Sequence, residues 1–123
     1  MIGIGIDLCE ISRMEKILLE DGLFLKRYFT SAERDFIRKR ENAAAQSMAA
    51  IFAAKEAFLK ALSLGIGAGL ALPDISVGHR ANGQPYYILE GAAAERMASL
   101  GGTRAHLSLS HEGGMAVAVA VIE

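Results

Sequence analysis

The stretch FAAKEAFLKAL, residues 52–62, has helix-forming composition and is apolar on nearly every side, yet it carries Lys55, Glu56 and Lys60. From Met48 to Leu62 every other position is apolar, and a helix that is apolar all round belongs inside a protein. Its charges therefore need partners. Glu56 and Lys60 are four apart and share a face, but as a plain surface ion pair they would contribute only ~0.2–0.5 kcal/mol. Ala53, Ala54, Ala57 and Ala61 cover little area themselves and let another group approach the helix closely.

Working outward, period and punctuation place this helix in an α+β domain with a mainly antiparallel sheet. MIGIGIDL (1–8) alternates Ile4, Ile6 and Leu8 with Gly3, Gly5 and Asp7, which is a strand whose second face is almost bare. Glycines inside a strand mark a place where a ligand or another backbone comes close, and Asp7 points into that cleared space. Ser12 with Glu15, and Thr30 with Glu33, each fit a capping box and so predict two helix starts. The second helix is expected to run through ERDFIRKR, bend near Glu41 and Asn42, and continue as the alanine-rich helix to GIGAG (65–69). DISVGHR and QPYYILE flank Ala81, Asn82 and Gly83 as a hairpin. A short helix from about Ala92 to Leu100 stops at Gly101 and Gly102. AHLSLSH and MAVAVAVIE form a second hairpin around Glu112, Gly113 and Gly114, and its last strand is apolar on both faces, as a central or interfacial strand should be.

The composition bounds the function classes. A chain of 123 residues, 52% hydrophobic and 22% charged, fits a single domain over 1–123. A net charge of −1 gives no basic field for nucleic acid. The lone Cys9 cannot close an internal disulfide, there is no signal-type leader, and the apolar runs are too short for a membrane span, so a soluble cytoplasmic protein is expected.

Asp7 and Glu56 are two carboxylates on separate segments, each without a local structural purpose. A divalent cation accounts for both: magnesium takes oxygen ligands and usually needs only one or two carboxylates beside the phosphates of a substrate. Lys55 and Lys60, flanking Glu56, could then meet phosphate charge. The set suggests magnesium-pyrophosphate chemistry. GIGIDL lacks the third glycine of a dinucleotide fingerprint, and no Walker lysine follows GIGAG; Gly65, Gly67 and Gly69 are either a helix stop or a phosphate contact. His79, in an exposed hairpin, and His106, sharing a strand face with Ser108 and Ser110, read as structural. His111 sits where a strand delivers a side chain to a rim. No Ser-His-Asp spacing or zinc ligand cluster occurs.

GIDLCEISR (5–13), FTSAE (29–33), FAAKEAFLKA (52–61), NGQP (82–85) and SLSH (108–111) stand in the order and approximate spacing seen in the phosphopantetheinyl transferases, and the chain resembles the short bacterial kind over essentially its whole length. The resemblance implies their fold and their activity: transfer of the phosphopantetheine arm of coenzyme A to a serine of apo acyl carrier protein, for fatty acid biosynthesis, with release of adenosine 3′,5′-bisphosphate. It implies magnesium held by Asp7 and Glu56, Lys60 serving the phosphates, and serine deprotonation by Glu56 or by a water at the ion. It further implies Lys55 and His111 near coenzyme A phosphates, Arg13 and Arg27 docking the acidic carrier helix, and Phe24 and Phe52 making apolar contact beside them. A homotrimer with active sites between subunits is implied as well. The chain departs from the family where Ser63, Leu64 and Gly65 replace a frequent Gly-Thr-Gly and where Glu112 follows His111. A magnesium-dependent phosphohydrolase, a non-catalytic trimer and a carrier-binding protein are the alternative readings.

Overall fold

The computed structural model describes residues 1–65 and 69–123. Their order is β1 (Gly3–Glu10), α1 (Ile11–Leu18), α2 (Leu23–Tyr28), α3 (Ser31–Lys39), α4 (Ala44–Ala61), β2 (Ile75–His79), β3 (Pro85–Leu89), α5 (Gly91–Ser99), β4 (Ala105–Glu112) and β5 (Met115–Ile122). Every strand pairing is antiparallel, in a three-stranded sheet of order β1-β5-β4 and a separate β2-β3 hairpin. The expected α+β class is the one observed.

Two helix starts behave differently. Thr30 and Glu33 form the reciprocal capping box, Thr30 accepting from the Glu33 amide and Glu33 from the Thr30 amide. Ser12 does not cap: α1 begins two residues earlier than that cap would place it, at Ile11 after Glu10. The reason is that β1 runs straight into α1, and the Ile11 amide is already satisfied by the Gly114 carbonyl of the β4-β5 turn at 2.9 Å. The expected break before α4 occurs at Glu41, with φ +51, and a single 3-10 turn over Glu41–Ala43.

Small residues let α4 lie close over β1 and β5. Its 18 residues span about 27 Å, and Ala53, Ala54, Ala57 and Ala61 are buried against a floor that includes Gly5 and the inward-facing Ala116, Ala118 and Ala120. Phe58, Met48, Ile51 and Leu62 fill the larger gaps around the same helix. β5 is thus the central strand, with alanines under the helix and valines at 117, 119 and 121 on the opposite face. Among the described residues no helix is long and apolar enough to cross a membrane.

Candidate active site

The bare face of β1 admits a helix backbone. A Cβ built on Gly3 would overlap the carbonyl oxygen of Ala61, and one on Gly5 would overlap that of Ala57 and stand 2.8 Å from the Ala61 amide nitrogen. The glycines therefore clear space for α4, which corrects the alternative that a ligand fills it. Asp7 is the next residue on that face, so the close approach carries it to the helix face bearing Glu56 and Lys60.

Lys60 Nζ donates to Asp7 Oδ1 at 3.0 Å and to the Ile6 carbonyl at 2.9 Å. Asp7 Oδ2 is buried and has no hydrogen-bond partner among the described residues. The Glu56 carboxyl is pushed up to about 7, first by burial and then by its interaction with Asp7, with Arg13 and Lys60 pulling the other way. Two ionised carboxylates have no proton to share, so the pair is satisfied either by a proton on Glu56 or by a cation between them. An orphaned carboxylate oxygen beside an acid whose ionised form is disfavoured by burial fits a divalent ion that takes only two protein ligands. No group of three or more His, Cys, Asp or Glu able to hold a metal occurs among the described residues.

A cavity of about 500 Å³ opens beside the upstream half of α4. Arg40, Gln46, His79, Arg80, Ser110 and His111 are among its walls, with Gly83 and Pro85 of NGQP. Gln46 Nε2 and His111 Nε2 are hydrogen-bonded at 3.0 Å, so the rim position expected for His111 holds. His79 is not the exposed hairpin residue the sequence suggests: its ring stacks on Phe36 with centroids 3.9 Å apart and planes 4° from parallel. Burial, then the charge of Arg40, lowers its pKa. Arg40 and Arg80 escape sequence reasoning; each lies over an aromatic ring, Phe36 and Tyr86 respectively, a contact no local pattern announces.

Lys55 is the clearest correction. It is fully buried, with Nζ donating to Glu33 Oε1 at 2.7 Å and to the Leu72 and Ile75 carbonyls at 3.2 and 2.8 Å. An ammonium has three donors, and all three are taken, so none is left for a coenzyme A phosphate. Phe52 is likewise only 5% exposed and packs among Phe24, Tyr28 and Phe29, so its ring is not the exposed apolar contact expected of it. Arg13 lies over the Phe52 ring and Arg27 over Tyr28, each 5.4 Å from the centroid, while Phe24 is half-buried. Arg13 also lines a recess of about 340 Å³ with Lys16 and Cys9. The Cys9 thiol is buried and pushed up to about 11, chiefly by burial, which makes it unreactive near neutrality. His106 is paired with Glu123 Oε2 at 2.8 Å. Ser63 takes φ +61, a conformation that favours glycine. Gly69 has φ +89 and open space around it, and Gly67 lies outside the described residues.

Residues 3–120 match the 4′-phosphopantetheinyl transferase superfamily. The holo-[acyl-carrier-protein] synthase of Trichlorobacter lovleyi is 46% identical, the match covering all of this chain and 98% of that protein; that of Syntrophus aciditrophicus is 47% identical over 98% and 94%. Among solved structures, the Neisseria meningitidis holo-[acyl-carrier-protein] synthase superposes with a TM-score of 0.86 at 31% identity, covering 100% and 98% of the two chains. The Helicobacter pylori holo-[acyl-carrier-protein] synthase, solved in complex with coenzyme A, gives 0.83 at 33% identity over 98% and 99%. On full-length agreement of sequence and fold, the chain belongs to the 4′-phosphopantetheinyl transferase superfamily.

Proposed function

We propose that the chain, acting as one domain, transfers the phosphopantetheine moiety of coenzyme A to a serine of apo acyl carrier protein, releasing adenosine 3′,5′-bisphosphate. The observation that carries this reading is the Asp7–Glu56–Lys60 cluster, in which Asp7 on β1, with its orphaned carboxylate oxygen, meets two residues of the same helix that walls a basic cavity. In the reaction the serine oxygen bonds to the phosphorus nearest the pantetheine arm, and the bond from that phosphorus to the bridging oxygen breaks. The bisphosphate leaves with the electron pair. The serine proton passes to Glu56 or to water beside it. Asp7 and Glu56 would hold magnesium, which when bound would supply positive charge at the pyrophosphate. Lys60, whose side chain is 55% exposed, reaches solvent above Asp7 and offsets charge on the transferred group. Arg40, Arg80 and His111 offer donors to the phosphates of the nucleotide half. Arg13 and Arg27 dock the acidic carrier over the Phe24–Phe52 cluster.

A homotrimer with active sites between neighbouring copies is part of this reading, supported by the apolar outer face of the three-stranded sheet. A cytoplasmic setting is supported by the single unpaired cysteine.

The test is to incubate the protein with coenzyme A, magnesium and an apo carrier protein and weigh the carrier. Mass gain by one phosphopantetheine is expected. Consumption of coenzyme A without any carrier gain would instead establish a phosphohydrolase. Asp7→Asn and Glu56→Gln should each remove most transfer, with the double variant scarcely slower than either and raised magnesium partly rescuing the singles, because residues that act as a unit give non-additive losses. Fully multiplicative losses with no rescue would show that the two acids do not share an ion.

A further inference from the structure

The two features used above, the carboxylate cluster and the basic cavity, are separate places on α4. Glu56 and Lys60 lie toward its C-terminal end and Gln46 in its first turn. The rest of the cavity comes from α3, through Phe36 and Arg40, from the β2-β3 hairpin, through His79, Arg80 and Pro85, and from β4, through Ser110 and His111. A donor that spans both places requires these elements to hold a fixed spacing from α4.

One buried pair joins the first two of them to α4. Glu33, 1% exposed, accepts from the Thr30 amide at the start of α3, from the Val77 amide in β2 at 2.9 Å, and from Lys55 of α4. Lys55 in turn donates to the carbonyls of Leu72 and Ile75, at the entry to β2. The residue after Lys55 is Glu56. Four further residues along α3 from Glu33 and three past it stand Ile37 and Phe36, and two past Val77 stands His79, so the pair is within a turn of the Phe36–His79 stack that walls the cavity. Packing alone would not require charge here, since well-packed apolar side chains of similar volume often hold a buried site as firmly as an ion pair does. What the pair adds is direction: four hydrogen bonds joining α3, α4 and the β2 segment, with the Glu33 carboxylate also fixed by the Thr30 amide.

We propose that Glu33 and Lys55 are positioning residues for the donor, fixing the spacing between the nucleotide cavity and the Asp7–Glu56–Lys60 cluster so that one molecule of coenzyme A engages both. This deepens the transferase reading and rests on it. Cutting the link leaves the side chains of each half-site present but lets the spacing between them vary. The nucleotide half of coenzyme A then still enters its cavity, while magnesium at the carboxylates no longer strengthens the same binding event.

The experiment measures coenzyme A affinity by calorimetry, without carrier, in the presence and absence of magnesium. Wild-type protein should bind about tenfold or more tightly with magnesium, a coupling of ordinary size between linked sites. The Glu33→Gln/Lys55→Met variant, confirmed folded by its melting transition, should lose less affinity without magnesium than with it, and so lose most of the enhancement. A second variant, Glu33→Asp, keeps the charge and shortens the arm by one methylene; it should reduce the enhancement at least about threefold and serves where the double variant does not fold. Lys55→Arg, which retains charge and donors, should recover part of it. An unchanged enhancement in a folded variant, or equal losses with and without magnesium, would overturn the positioning role. A wild-type protein that binds no coenzyme A would instead overturn the transferase reading itself, which separates the two failures.

Discussion

Glu56 shows how a single residue can be set against its own fold. Its carboxyl ordinarily titrates near 4.5 and is raised to about 7 here, by burial first and by Asp7 next. A raised pKa means that the folded chain holds this proton more tightly than the unfolded chain does, so the favourable contribution is full below pH 4.5 and is lost as pH rises through about 7. The carboxyl is half-exposed, and solvent screening leaves about 1–2 kcal/mol of the linkage. Metal-free Glu56→Gln should therefore melt above wild type at pH 8, by about 4 °C or more, and level with it at pH 4. Magnesium should raise the melting temperature at pH 8 by more in wild type than in the variant, because a cation favours the ionised carboxylate. An equal offset at both pH values in thermal melts would contradict the role assigned to this proton.

At the scale of elements, the site depends on how closely β1 and α4 approach. Gly5 has no room for a side chain, since a Cβ there meets the Ala57 carbonyl and the Ala61 amide, both main-chain atoms that cannot turn away. Gly5→Ala should force the strand and helix apart and cost on the order of 3 kcal/mol. It should also cost activity beyond the loss of fold, because Asp7 rides two residues further along the same face and would draw back from Lys60. A denaturant titration paired with the transfer rate at a temperature where the variant is fully folded checks both. A folded variant with full transfer would mean that the separation does not matter to the cluster.

For the whole molecule, the unexplained surface is the outer face of the three-stranded sheet. Ile4, Ile6 and Leu8 are 59%, 57% and 61% exposed, and the register sets Ile6 opposite Val119 and Leu8 opposite Val117. Such a contiguous apolar face is costly in water and marks an interaction surface. With the helix covering the other side of the sheet, another copy of the chain is the proposed cover, and closed symmetry would give the trimer. Ile6→Glu should then leave a folded monomer at micromolar concentration, seen by sedimentation, with most transfer lost if neighbouring copies complete each site. Sedimentation of the wild-type chain as a monomer would remove this part of the proposal.

Sequence by itself determined what is local or periodic. Strand alternation in MIGIGIDL, the capping box at Thr30 and Glu33, the break at Glu41, both hairpins and the apolar central helix follow from side-chain chemistry within a few residues, and all appear where expected. The acids at 7 and 56 and Lys60 were legible because charges on surfaces otherwise cleared or apolar have no local use. Tertiary structure alone decided which of those charges are sealed in the interior and which reach solvent. Lys55 and Lys60 look alike in the sequence, yet the partners of Lys55 lie 22, 17 and 20 residues away and seal it in the interior. Glu33 announced itself only as a helix cap, Phe52, through the family resemblance, as an apolar docking contact, His79 as a hairpin residue. Each changed meaning because burial and hydrogen bonding are set by segments far along the chain, and helical or strand period records which face a residue occupies but not what is folded against it.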